Sequence, residues 1–350
     1  MEDNNFKDSI IINTTSKSIV INRPILIFNS GKDILNLMEF YEKNYRDYKL
    51  FYCERGEPLT PNSILNLYRI HEFFLEKKMN TRKFHIFYEN RSKDYENLLG
   101  FLQFNFYYYP YHLNSMTPLA FFDSGDYPYR LEPNFEKTFL FLNRTIKQHR
   151  LDFFNFIKEN GILDKSYYSI LWNDWERNFI EEKYDQSTHA RHENLIDIYQ
   201  NTAINLITET VWDTNILSID STFISEKTFR ALAFPRPFII IGQKHVLRNL
   251  RQMGFRTFSD IFDESYDEMD DSNRMEAIQK VVLDLASKSK EEIYEMWEKC
   301  IEIYEHNRKS ILYHCKEFDT DFQTKFQKEY KDINSHYLMS IERCKNLKIW

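Results

Sequence analysis

The sequence predicts an α/β protein of two domains followed by a helical tail. Three observations carry this. Short apolar runs alternate with amphipathic segments twice along the chain, as strands and helices do in a mostly parallel sheet. The apolar runs of the second half are near-continuous, which suits strands covered on both faces. A chain of 350 residues also exceeds what one core usually organises. The expected domains are 1–133 and 134–285, with 286–350 as a tail that could cross back to the first domain.

In the first domain, residues 18–28, 50–53, 84–88 and 101–106 read as strands. Residues 34–44 and 63–78 read as helices, the second with Pro61 just ahead of it. The stretch 107–133, rich in Tyr, Pro and Asp, reads as irregular and ends the domain. In the second domain, 139–143, 167–172, 203–208, 238–241 and 256–258 read as strands. Thr145-Ile146-Lys147-Gln148 has the form of a capping box, opening a helix that Asn160-Gly161 closes. A helix over 226–234 stops before Pro235, and one over 245–253 ends at Gly254. This half reads as a doubly wound domain whose ligand lies at the carboxyl ends of the strands. In the tail, Ser289-Lys290-Glu291-Glu292 is a capping box, and Ile293, Met296, Trp297, Cys300, Ile301 and Tyr304 follow at helical spacing.

Composition narrows the function. With 46 basic and 53 acidic residues, the formal charge is −7, which disfavours a grip on nucleic acid by bulk charge. Cys53, Cys300, Cys315 and Cys344 form no CxxC pair and read as free thiols of a reducing, cytoplasmic compartment. No signal peptide and no membrane span are legible. The 30 Phe and 23 Tyr fit the codon bias of an AT-rich genome better than ligand platforms. None of the 7 glycines builds GxGxxG or a P-loop, and no GxSxG is present.

Three stretches carry candidate chemistry. In Phe223-Ile224-Ser225-Glu226-Lys227, Ser225 is placed to cap a helix and Glu226 suits its positive end. Lys227 opposes the dipole, a conflict that a bound anion would resolve. Carboxylate and ammonium side by side suit the ribose and phosphates of a nucleotide. The stretch Leu142-Asn143-Arg144-Thr145-Ile146-Lys147-Gln148-His149-Arg150 joins a strand end to a helix start and gathers four basic or imidazole side chains, a setting for phosphate. Glu209, in Ile207-Thr208-Glu209-Thr210, is a carboxylate at the end of a buried strand.

Phe223 to Lys227 resembles the Tyr-(Val/Ile)-Thr-Glu-Lys motif of α-1,3-fucosyltransferases, which are GT-B-fold glycosyltransferases; there too a helix and a Pro-led apolar strand follow. The Asn-Arg…His-Arg stretch, and the segments around 254–258 and 262–267, are similar to phage-type relatives of that family. Glu209 matches the Glu of the family's Phe-Glu-Asn-Ser, with Thr210 in place of the Asn and longer spacing to the next motif. The resemblance spans about 137–270. It implies a GT-B-like fold of two Rossmann-like domains facing a cleft. It implies inverting, metal-independent sugar transfer from a GDP- or UDP-linked donor to a hydroxyl acceptor, with no further cofactor. Glu226 would meet the ribose and Lys227 the diphosphate. Arg144 and Arg150 would face the diphosphate, with Lys147 or His149 beside them and Ser225 at the helix start.

The catalytic base is sought in the first domain, because the acceptor hydroxyl must lose its proton. Asp123 in Phe-Phe-Asp-Ser-Gly-Asp leads, with Asp126, Glu54 and Glu89 as alternatives; Glu209 is the candidate in the second domain. No metal site is expected. The seven acids between Asp260 and Asp271 read as a solvated loop, and Asp319-Thr320-Asp321 as a chance match within the tail. Two other readings stay open: transfer to hydroxymethylated bases in DNA, which requires base flipping, and a non-catalytic nucleotide- or carbohydrate-binding protein.

Overall fold

The computed structural model describes residues 10–21, 31–53, 61–89, 100–110, 112–113, 134–143, 147–170, 198–199, 201–213, 222–234 and 236–333. The fold is α/β. The chain divides into two compact units. Met1–Ser115, Thr214–Phe223 and Cys315–Leu347 form the first, and Met116–Asp213, Ile224–His314 and Lys348–Trp350 the second.

The first unit holds β1 (Ile10–Asn13), β2 (Ser18–Ile21), α1 (Gly31–Tyr45), β3 (Lys49–Cys53), α2 (Pro61–Glu76), β4 (Phe84–Tyr88) and β5 (Asn105–Tyr108). The sheet order is β1-β2-β3-β4-β5, with β1 antiparallel to β2 and the rest parallel. Strands add in chain order, so right-handed crossovers set both helices on one face. Ile34, Leu37 and Tyr41 of α1 and Leu67, Ile70 and Phe74 of α2 pack there against Ile19, Ile21, Leu50, Tyr52, Phe84 and Ile86. Alternation sends Val20, Phe51, Cys53 and Phe87 to the other face.

The second unit holds β6 (Lys137–Asn143), α3 (Gln148–Glu159), β7 (Ser166–Ile170), β8 (Thr202–Thr208), α4 (Glu226–Leu232), β9 (Phe238–Ile241), α5 (Val246–Gln252) and α6 (Asp271–Ser287). Its four strands are all parallel, in the order β7-β6-β8-β9. The chain steps from β6 out to β7, returns past β6 to β8 and continues to β9. Strand order therefore reverses between β6 and β8, and helices occupy both faces. Phe153 of α3 meets Phe141 on one face (ring centroids 5.6 Å). The register places Glu209 on the other face, where it holds the start of α4.

The last long helix, α7 (Lys290–Lys325), opens on the expected capping box. Glu292 N donates to Ser289 Oγ (3.2 Å) and Ser289 N to Glu292 Oε2 (2.7 Å). Its buried face runs through Ile293, Met296, Trp297, Cys300, Ile303 and Tyr304. Arg236 secures this helix within the unit: its guanidinium lies over Phe135 (4.9 Å) and Trp297 (5.7 Å), while Nε donates to Thr202 O (2.8 Å). Past His314 the chain belongs to the first unit. There Phe322, Phe326 and, from α8 (Tyr330–Ile333), Tyr330 and Ile333 cover the face of the first sheet that α1 and α2 leave open. Phe326 meets Phe51 (5.9 Å), Phe87 (5.3 Å) and Tyr107 (5.1 Å) edge-on.

The structure corrects several expectations. The run 101–106 is not a strand until Asn105: Gln103 N donates to Gly100 O (3.4 Å) and Gln103 takes φ 54°, closing a turn. Strand β1 has no counterpart among the expected elements. Residues 256–258 are not a strand, because side chains satisfy their backbone. Glu264 accepts from Phe258 N (2.7 Å), and the Asn307 amide brackets Arg256 on both sides (2.8 and 2.9 Å). The acidic stretch is not wholly solvated either. Glu264 and Asp267 are buried, and Asp267 accepts from Leu247 N (2.9 Å) and Arg248 N (2.8 Å), capping α5. Burial raises both carboxyl pKa values, against these hydrogen bonds and Arg251. Helix α3 begins at Gln148, and its N-cap Lys147 makes no side-chain cap bond, so no capping box forms there. Asn160 and Gly161 (φ 69°) do close that helix.

Candidate functional site

In open α/β sheets ligands bind beyond the carboxyl ends of the strands, where strand order reverses. In the second unit that point lies between β6 and β8. The residues ending these strands are Asn143 and Thr208, and they are bonded across it: Thr208 Oγ1 donates to Asn143 Oδ1. The described residues of the sequence motifs at 143–150, 207–210 and 223–229 therefore meet at one edge of one sheet.

Glu209 is the node. It is fully buried, and its carboxylate accepts from Ser225 N (3.1 Å), Thr228 Oγ1 (2.5 Å) and Thr210 N (3.0 Å). Its backbone extends the β8–β9 ladder, N donating to Ile241 O (2.9 Å). Gly242 lets the chain pass close to this carboxylate: a Cβ there would lie 3.0 Å from Glu209 Cβ, a tight contact that would press on the Glu209 side chain. With three donors on a buried carboxylate, Glu209 holds the end of β8 to the start of α4.

The basic residues of α3 converge on the same backbone. Lys147 Nζ donates to Thr210 O (2.5 Å). Arg150 Nη2 donates to Glu209 O (3.0 Å) and Thr208 O (3.3 Å). His149 Nε2 lies 3.0 Å from Glu209 O. A carbonyl only accepts, so that nitrogen carries the proton. Burial pushes the His149 pKa down to about 4; the carbonyl bond opposes this, and Arg150 and Lys147 add to it. Burial also lowers the Arg150 pKa, against Glu209 and Glu226.

Ser225 caps α4 as expected, its Oγ accepting from Lys227 N (3.3 Å). The cation at this helix start has protein neighbours: Lys227 Nζ lies 3.0 Å from Glu226 Oε1, 3.2 Å from Ser225 Oγ and 3.4 Å from Thr210 Oγ1. An internal carboxylate thus offsets the conflict with the dipole. The Lys227 and Glu226 side chains keep 28% and 33% of their surface exposed, so both remain within reach of a ligand.

Two participants had no strong sequence signal. Trp212 meets the His149 ring, stacked at 5.9 Å, and the Arg274 guanidinium, 4.3 Å from its centroid. Arg274 also donates to Trp212 O (3.1 Å) and pairs with Asp271 (2.7 Å). These contacts tie Trp212 to both α3 and α6. Arg274 comes from α6, 62 residues away, so no local pattern could mark it. The Asn143–Thr208 bridge is equally hidden: both residues stand within motifs, but their pairing depends on strand order.

Arg144, Glu54, Asp123 and Asp126 lie outside the described residues. Glu89 follows β4 in the first unit, buried, accepting from His112 N (2.6 Å) with the His112 ring nitrogen 3.7 Å away. Asp319-Thr320-Asp321 falls within α7. Among the described residues no cluster of three or more His, Cys, Asp or Glu is arranged to hold a metal, and no helix is long and apolar enough to cross a membrane.

No protein-family model matches the chain, and no curated protein matches it. Among solved structures it is similar to a β-glucosyltransferase mutant of phage T4 in complex with UDP-glucose. The identity is 12%, the match covers 88% of this chain and 80% of that one, and the TM-score is 0.38.

Proposed function

We propose that the protein is a GT-B-type glycosyltransferase that takes a sugar from a nucleoside-diphosphate donor, with the nucleotide bound by the second unit. The observation that carries this is the convergence of Lys227, Glu226 and the start of α3 on the carboxyl edge of a doubly wound sheet, where strand order reverses. In this reading Glu226 meets the ribose and Lys227 the diphosphate. Arg150, Lys147 and His149 build the frame on which those contacts stand, and Glu209 is a positioning residue for the start of α4.

The chemistry is an inverting displacement. The acceptor hydroxyl oxygen attacks the anomeric carbon, the bond from that carbon to the diphosphate breaks, and the hydroxyl proton passes to a base supplied by the first unit. Positive charge from Lys227 stabilises the leaving diphosphate, the task a metal performs in other transferases.

The test is a thermal-shift and calorimetric screen against UDP, GDP, ADP, CMP and their sugar conjugates. At about 100 times its Kd, a true ligand adds about 2.7 kcal/mol of stability. Lys227→Ala should weaken the selected nucleotide about 10- to 100-fold by removing a charge-assisted contact. Absence of any shift sinks the reading. The internally satisfied Glu209 carboxylate favours one other outcome, nucleotide binding with neither transfer nor donor hydrolysis, which would make this a binding protein.

A further inference from the structure

We propose that the Asn143 carboxamide, together with the first turn of α3, binds a phosphate oxygen of the nucleotide through uncharged N–H donors. This rests on the transferase reading above and assigns the phosphate contact within it.

Asn143 ends β6 and is 4% exposed. Its Oδ1 accepts from Thr208 Oγ1 at the end of β8, across the reversal of strand order. That bond fixes which end of the amide faces β8, and it leaves the two N–H donors of Nδ2 to find acceptors elsewhere. Nδ2 is buried and meets no acceptor among the described residues. An unmet buried donor costs free energy that an apolar side chain of similar shape would recover. A carboxamide held at that cost, at the place where α/β sheets take ligands, matches an acceptor brought by the ligand.

The next segment supplies a second observation. Helix α3 has 12 residues, and its N-cap Lys147 provides no side-chain acceptor for the first turn. The side chains that would be expected to neutralise a phosphate there, those of Lys147, His149 and Arg150, donate instead to the carbonyls of residues 208–210. Among the described residues at the start of α3, the contacts left for a phosphate are the Asn143 amide and the backbone N–H groups ahead of Arg150, the donors used at helix N-termini, with Lys227 on the neighbouring helix. A phosphate oxygen about 2.9 Å from Nδ2 would satisfy the orphaned donor. Because these donors are neutral, their share of the affinity should change little with salt, unlike that of Lys227.

Asn143→Ala, Asn143→Asp and Lys227→Ala are compared with the unchanged protein by calorimetry against UDP and GDP at low and high salt, and by thermal melting. Asn143→Ala should weaken the bound nucleotide about 10- to 100-fold at both salt concentrations; because it also strands Thr208 Oγ1, it should melt somewhat earlier than the parent. Asn143→Asp keeps the acceptor for Thr208 and puts a carboxylate oxygen where the donors were, so it should bind more weakly still. If Asn143→Ala melts earlier and binds normally, Asn143 is a structural donor only and the proposal is overturned, while the transferase reading stands. If Asn143→Ala both melts earlier and binds poorly, Asn143→Asp decides: normal binding there overturns the proposal, and loss supports it. If the unchanged protein binds neither nucleotide, the reading and the proposal fall together.

Discussion

The two sheets are assembled from the same strand–helix units, but the first adds its strands in chain order and the second reverses between β6 and β8. Without a reversal, the first sheet carries α1 and α2 on one face, and the other face needs a cover from elsewhere in the chain. Phe322, Phe326, Tyr330 and Ile333 provide it. With a reversal, the second sheet has helices on both faces, and the polar motifs stand at the carboxyl ends of its strands. The same local elements thus yield a framework in one case and a candidate site in the other.

That contrast can be broken from either side. The largest effect should come from Phe326→Ala, which removes a buried aromatic from the cover of the first sheet. Denaturant melts should show a loss of about 4 kcal/mol, and nucleotide affinity under folding conditions should be unchanged. A matching loss of affinity would mean that the two units do not divide the work as described. Next is Glu209→Ala in the second unit. It strands Ser225 N, Thr210 N and Thr228 Oγ1 without an acceptor and should cost about 3 kcal/mol. Unlike the first variant, it should also abolish nucleotide binding.

The smallest effect is on pH. Burial holds His149 near pKa 4 in the folded state, against an ordinary value of 6.5. Between those values the unfolded chain binds more protons, so stability rises with pH across the window and is lost as pH falls through it. From pH 7 to pH 5, His149 should account for up to about 2 kcal/mol. His149→Gln, which keeps a donor for Glu209 O, should flatten the profile. His85, also held down to about 4 by burial with help from Lys49 and Lys325, reports the same trend from the first unit and should survive that substitution. An unchanged profile in His149→Gln would show that the imidazole is not neutral in the fold.

Much was legible in the local pattern. Strands β3, β4, β6, β8 and β9 came from apolar runs, and α7 from its capping box and the stripe beginning at Ile293. Ser225 was recognisable as a cap because capping chemistry is decided within a few residues. Misreadings arose where a local cue met a distant partner. Residues 256–258 look like a strand, but Glu264 and Asn307 take their backbone groups. The acids near 264–267 look solvated, but two of them cap buried backbone. Lys147, His149 and Arg150, read from the sequence as a setting for phosphate, also meet the carbonyls at the end of β8, a contact that no local pattern announces.

The sequence by itself determined the α/β class, most elements, and the residues that could carry nucleotide chemistry, because periodicity, capping and side-chain charge are properties of neighbours along the chain. Only the tertiary structure decided that the chain returns from β7 past β6 to β8, that Asn143 therefore faces Thr208, that Arg274 reaches Trp212, and that residues 322–333 cover the first sheet. Each of these depends on residues dozens to hundreds apart in sequence. Burial and hydrogen-bond satisfaction of the whole chain select such contacts, and no single segment encodes them.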